Sequence, residues 1–195
     1  MTTTPLSAGA SAPDVSLQTT DGANVRLAQF WQRAPVVIFF VRHIGCVFCR
    51  EQVRTLAQHY DAIGSRGAEV IAIIPTDPIN AGRFARSMRL PYPVLCDTPR
   101  RAFAAFGLYE TTLGDLAQTE VLLRTARQFA RGNIPTVNPF SSSLTQLGGV
   151  FIVGSDGIVR LGHAATPVFT YPPVATCLAV LDTMQVVTSS KSIRE

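Results

Sequence analysis

Residues 36–52 read VVIFFVRHIGCVFCREQ. The run 36–41 is continuously β-branched and aromatic, the mark of a strand buried on both faces. From Cys49 on, Val53, Leu56, Tyr60 and Ile63 recur at spacings of three and four, while Arg50, Glu51, Arg54 and His59 take the other face. That period predicts an amphipathic helix, and Gly64 and Gly67 are its expected stop. Cys46 and Cys49 therefore stand between a buried strand and the first turn of a helix. Backbone N–H groups and the positive end of the helix dipole favour thiolate over thiol there. Arg42, His43 and Arg50 are expected to add positive charge. Two intervening residues let the two sulfurs close a small disulfide ring, so attack and resolution can occur in one chain.

Working outward, strand-like and helix-like segments alternate, the pattern of an α/β fold with a central, mostly parallel sheet flanked by helices. Residues 69–75 (EVIAIIP) read as a second buried strand, and 80–88 place Ala81, Phe84 and Met88 on one helical face. Thr98 and Pro99 look like the N-cap and first-turn proline of a short helix that buries Ala102, Phe103 and Phe106 and stops at Gly107. Phe30 and Trp31 are expected to pack as a lid on the first strand. Residues 149–153, the turn 154–157 (GSDG) and 158–161 read as an antiparallel hairpin. Pro173 opens a last helix with Val174, Cys177, Leu178, Leu181 and Met184 on its apolar face. The segment 108–146, with a weak helix at 119–131 and an Asn-, Pro- and Ser-rich loop, reads as an insertion, and the tail from 188 as frayed. One domain over residues 1–195 is the expectation.

At 195 residues the chain can bury a sizeable core, so the four cysteines are not needed as staples. The longest uncharged apolar run, 34–41, is far below the ~20 residues that span a bilayer, and Arg42 ends it. Residues 1–20 carry neither a basic n-region nor an apolar h-region, so a cytoplasmic location, where stable disulfides are rare, is the default. Net charge is +4, and sixteen of the 17 basic residues are Arg, with Lys191 the one lysine. They are scattered, without the basic–aromatic interleaving of a nucleic-acid surface. Neither a membrane nor a nucleic acid is expected as partner.

A C-x-x-C beside a βαβ pattern reads as a thioredoxin-like redox motif. The competing reading is half of a metal site. No second C-x-x-C or H-x-x-x-H supplies the other ligands, so Cys46 and Cys49 would have to be shared across a homodimer around zinc or a [2Fe–2S] cluster. No cofactor is the leading expectation. Cys96 and Cys177 read as small core hydrophobes. His43 is open between tuning the thiolate and capping a solvated turn, and His59 and His163 are expected at the surface.

In order and spacing, Gly9-x-x-Ala12-Pro13-Asp14-x-x-Leu17, Asp21-Gly22, VVIFFV, Pro75-Thr76-Asp77, the 93–97 string PVLCD and the 151–157 string FIVGSDG resemble the peroxiredoxin (AhpC/TSA) superfamily. RHIGCVFCREQ and Gln146-Leu-Gly-Gly-Val-Phe are similar to its peroxiredoxin-like branch, which includes the peroxiredoxin-like 2 proteins and prostamide/prostaglandin F synthase. The resemblance implies a thioredoxin-like fold of peroxiredoxin type. It also implies a dithiol that reduces a peroxide, a peroxide-like lipid or a disulfide, with electrons from a thioredoxin- or glutathione-type donor. A typical peroxiredoxin has Pro and Thr or Ser before the peroxidatic Cys and a distant Arg. Counting back from Cys49, this chain has Arg42 and Cys46 at the first two positions, and Gly148 and Gly149 where the Arg is sought. Loss of such donors is worth on the order of 10²–10³ in rate each, so fast peroxide reduction is not expected unless Arg42 substitutes. In peroxiredoxin register Cys49 attacks. Thioredoxin logic makes Cys46 the exposed nucleophile and Cys49 the resolver, and exposure favours Cys46. The backbone at Gly148 and Gly149 should approach the dithiol where thioredoxins carry a cis-proline, with Ile134-Pro135-Thr136 as a decoy. A catalytically silent interaction protein is the remaining alternative.

Overall fold

The alternation within VVIFF decides the architecture. In the computed structural model, which describes residues 4–112, 119–130, 132 and 145–192, all five residues of β3 (Val36–Phe40) are buried. Val37 and Phe39 point into one apolar layer, with Val53 and Leu56 of α2 (Val47–Gln58), Phe84 of α4 (Pro78–Met88), and Cys177 and Leu181 of α7 (Val174–Ser192). Val36, Ile38 and Phe40 point into the other, with Phe30 and Trp31 of α1 (Ala28–Trp31) and Phe103 of α5 (Arg101–Ala105). The ring of Phe40 lies 5.0 Å from Phe103, 5.0 Å from Phe106 and 5.6 Å from Phe151, in tilted or edge-on contacts. Helices on both faces are what a strand without a polar face requires.

The seven-stranded sheet runs β2-β1-β5-β4-β3-β6-β7, with β1 (Ser16–Thr19), β2 (Asn24–Arg26), β4 (Glu69–Ile74), β5 (Val94–Cys96), β6 (Gly149–Val153) and β7 (Val159–Ala164). This is an α/β sheet of the thioredoxin type, and it is mixed rather than mostly parallel. Among the described residues only β3 with β4 and β4 with β5 are parallel pairs. The pairs β1·β2, β1·β5, β3·β6 and β6·β7 are antiparallel. A parallel pair needs a crossover long enough for a helix. Such crossovers between hydrogen-bonded neighbours occur in two places, through α2 and α3 (Tyr60–Gly64) and through α4.

Two local expectations change. The helix predicted to run on to Ile63 divides at His59, whose backbone leaves the helical region and whose Nδ1 lies 2.8 Å from the Thr55 carbonyl oxygen. At α5 the N-cap position falls to Arg100, not Thr98, and the side chain that satisfies the first-turn amides is that of Asp97. Its buried carboxylate accepts from the amides of Arg101, Ala102 and Phe103 at 2.9, 2.8 and 3.1 Å. Within 108–146, α6 (Thr119–Ala130) occupies the expected helix. Glu110 pairs with Gln146 in an isolated bridge, so the segment leaves and rejoins the body at one place. The decoy at residues 134–136 lies outside the described residues. α7 extends to Ser192, so the backbone of 188–192 is helical. Among the described residues no helix is long and apolar enough to cross a membrane.

Candidate active site

β3 delivers the chain to the site. The Val41 amide still donates to Ile73 O of β4 at 2.8 Å, and then the chain turns. The Cys46 amide closes that turn on the His43 carbonyl at 3.1 Å. Cys46 has extended backbone angles and is the N-cap of α2, its Sγ accepting from the Cys49 amide at 3.2 Å. A thiol thus fills the place where a Ser or Asp oxygen usually satisfies an unpaired amide of the first turn. The Arg50 amide donates to Cys46 O at 2.9 Å, the first bond of the helix. Arg50 itself is half-buried.

Neither thiol is exposed: Cys46 is 4% accessible and Cys49 0%. Exposure therefore gives no reason to prefer Cys46, and electrostatics separates the two. Burial opposes ionisation of Cys49, but the Cys46 thiol, the Arg42 guanidinium and the Tyr171 hydroxyl together outweigh it and bring its pKa down to about 7. Burial and the hydrogen bond to Cys49 push Cys46 well above the ordinary thiol value. The Tyr171 hydroxyl lies 3.5 Å from Cys49 Sγ. Burial, and then the neighbouring sulfurs, hold that phenol protonated, so it donates to a thiolate.

Arg42 is buried, and its Nε donates to Gln146 O at 2.6 Å. Gln146 is fixed in turn, its Nε2 donating to Leu108 O at 2.7 Å. Gly148 makes the site compact. A Cβ there would stand 2.7 Å from Phe40 O, 2.7 Å from the Tyr171 hydroxyl and 2.9 Å from Arg42 Cγ. Gly148 therefore packs on Tyr171 and Arg42, the residues whose polar groups face Cys49, rather than on a cysteine sulfur. Gly149 is required elsewhere, since its Cβ would meet His163 O at 2.6 Å across the β6·β7 pair.

His43 corrects the expected charge pattern. Burial, reinforced by Arg42, lowers its pKa to about 4, so it is neutral near pH 7. It is 8% exposed, with no hydrogen-bond partner at Nδ1 among the described residues, and so buried a ring is not a solvated cap. His59 and His163 are half-buried rather than on the surface, and His163 Nε2 lies 2.8 Å from Thr170 O, tying β7 to the segment that carries Tyr171. Cys96 and Cys177 are buried, and burial holds both thiols up at about 11, which fits core filling. Among the described residues no group of three or more His, Cys, Asp or Glu could hold a metal. A cluster shared across a dimer needs both sulfurs on the surface, and both are enclosed.

Tyr171 escaped sequence reading. It lies 122 residues from Cys49 and in no motif, and the available signal was an aromatic-rich stretch, Phe169 to Tyr171, just before the last helix.

Fold and site together define a class, a thioredoxin-fold protein whose paired thiols open the first long helix. Within that class the chain belongs to the AhpC/TSA family, whose model matches residues 8–161. Among curated proteins it is 34% identical over 119 residues to a chloroplastic peroxiredoxin Q of Gentiana triflora, covering 60% of this chain and 54% of that protein. The chain thus spans about half the length of the curated relatives it matches first. A prostamide/prostaglandin F synthase of Salmo salar is 26% identical over 154 residues, covering 75% of this chain and 74% of that protein. Of solved structures, peroxidoxin BcpB from Mycobacterium tuberculosis superposes with a TM-score of 0.67 at 18% identity, covering 91% of this chain and 97% of that one.

Proposed function

We propose that this chain is a thiol-dependent peroxidase in which Cys49 attacks and Cys46 resolves. The observation that carries the reading is the set of groups around Cys49 Sγ: the Cys46 thiol, the Arg42 charge and the Tyr171 hydroxyl, which together favour its thiolate. The thiolate attacks the hydroxyl oxygen of a hydroperoxide. An S–O bond forms, the O–O bond breaks, and the departing alkoxide or hydroxide takes a proton. Cys46 then loses its proton and attacks the sulfenic sulfur, which gives a disulfide and expels water. Two electrons and two protons from a thioredoxin- or glutathione-type donor restore the dithiol, so the cycle belongs in a reducing compartment such as the cytoplasm.

Arg42 and Tyr171 supply the charge and the hydroxyl that the peroxiredoxin pattern places on other residues, and Gly148 leaves room for both. Because Cys49 is fully enclosed, hydrogen peroxide must enter through a local opening, and turnover slower than in a typical peroxiredoxin is expected. The family membership and the peroxiredoxin relatives support this chemistry over a silent interaction protein.

Trapping of sulfenic acid separates the two thiols. Treated with hydrogen peroxide and a dimedone-type reagent, Cys46→Ser should accumulate adduct on Cys49, Cys49→Ser should accumulate little, and the unaltered protein should give a Cys46–Cys49 disulfide by mass spectrometry. Adduct on Cys46 in Cys49→Ser at the rate expected of Cys49 would reverse the assignment. Two thiols that stay fully alkylatable after peroxide would reject the reading.

A further inference from the structure

Arg42 favours the Cys49 thiolate only while its guanidinium stays near the sulfur, so whatever locates that side chain belongs to the site. Two points on one stretch of chain locate it. Its stem passes Gly148, where a Cβ would stand 2.9 Å from Arg42 Cγ, and its Nε donates to Gln146 O at 2.6 Å. The position of the guanidinium is therefore tied to that of the Gln146 carbonyl.

That carbonyl is itself held. Glu110 and Gln146 form an isolated antiparallel bridge, flanked by backbone bonds from the Thr111 amide to Thr145 O at 2.7 Å and from the Leu147 amide to Tyr109 O at 3.1 Å. The Gln146 side chain adds a further tie. It is 2% exposed, and its Nε2 donates to Leu108 O at 2.7 Å and to Leu147 O at 3.1 Å, which joins its own stretch of chain to the facing one. Two carbonyls served by one nitrogen, next to a guanidinium, call for a neutral group with two donors. A carboxamide supplies that, and Asn would bring it on a stem one methylene shorter.

We propose that Gln146 is a positioning residue for the reacting thiol: its side-chain amide holds the carbonyl that holds Arg42, and so keeps the guanidinium beside Cys49. The root of the 108–146 segment is thereby part of the site. The inference rests on the reading of Cys49 as the ionised thiol. Cys46 at the cap of α2 and Tyr171 before α7 also bear on that sulfur, each through its own hydrogen bond, so the effect of Gln146 is assigned to Arg42 alone.

The pH dependence of iodoacetamide alkylation at Cys49, followed by mass spectrometry on the full chain, tests this in a double-mutant cycle with Arg42. Gln146→Met keeps the length of the side chain but cannot donate. Its Cys49 midpoint should rise by about half a pH unit, a fraction of the roughly 1–3 units that an adjacent opposite charge supplies, and below both midpoints alkylation should slow about three-fold. Arg42→Met should raise the midpoint further, and adding Gln146→Met to it should raise it no more. Gln146→Asn is the milder change, serves where the Met variant fails to fold, and should shift the midpoint the same way. A role in packing alone would change the rate alike at every pH, through easier opening of the site, and leave the midpoint in place. A midpoint unmoved in these variants, or moved equally with and without Arg42, overturns the proposal. The parent's midpoint tests whether Cys49 ionises near neutral pH and the difference between variants tests Gln146, so each reading can fail alone.

Discussion

At the scale of single residues, the site turns on one sulfur and the groups that face it. Cys46 and Cys49 differ by three positions in sequence and little in exposure. Cys46 caps the helix through its own sulfur, whereas Cys49 receives the Tyr171 hydroxyl and the Arg42 charge. Tyr171→Phe removes the hydroxyl and keeps the ring, whose centroid lies 5.3 Å from that of Phe39. Losing a donor to a thiolate disfavours the charged form, so the Cys49 midpoint should rise from about 7. A hydrogen bond to a charged group is worth roughly 1.5–3 kcal/mol, and the long contact here argues for the low end, or about one pH unit. The pH dependence of alkylation at Cys49 reads this directly. Below the midpoint the variant should alkylate about ten-fold more slowly than the parent, and above both midpoints the rates should converge. An unmoved midpoint would remove Tyr171 from the site's electrostatics.

Among elements, helix starts carry most of the specific chemistry. α2 begins on a cysteine cap and α5 on a carboxylate that accepts three amides at once. Asp97 is fully buried, and burial raises its pKa against the pull of those amides. Asp97→Ala would leave buried first-turn amides unpaired, which costs about 1–3 kcal/mol in such positions. Urea unfolding should show a lower midpoint with an unchanged slope, and Asp97→Asn, which keeps one acceptor oxygen, should fall between. Parental stability in Asp97→Ala would mean that those amides find other partners. The sequence pointed to Thr98 because Thr followed by Pro is a frequent helix start. Asp97 prevails because Arg100 adopts left-handed angles and delays the first turn to Arg101.

Over the whole molecule, stability should be graded from the centre of the sheet outward. β3 and β4 are paired on both edges and buried on both faces, while β2 is a three-residue edge strand with two exposed positions. α6 packs Val121 inward and leaves Leu122, Leu123 and Phe129 about half exposed. Amides that open only in global unfolding should therefore cluster in β3 and β4, and those of β2 and α6 should exchange fastest. Hydrogen exchange followed by mass spectrometry resolves these segments. Protection of α6 equal to that of β3 would show that α6 unfolds with the core and would contradict this gradient.

VVIFFV, EVIAIIP and the C-x-x-C at the head of an amphipathic helix determined the strand–helix alternation, the two apolar layers and the position of the dithiol. Local patterns suffice for these, because burial on both faces and the helical period are written in neighbouring residues. Three features were decided by tertiary structure. The sheet is mixed because β6 and β1 add antiparallel to the parallel centre, through pairings between residues far apart in sequence. The Cys49 thiolate is favoured partly because Tyr171, 122 positions away, meets its sulfur over a glycine with no side chain to intervene. His43, charged on paper, is neutral in the fold. A pKa depends on the water a side chain loses and on the charges brought beside it, and only the assembled core sets either of these.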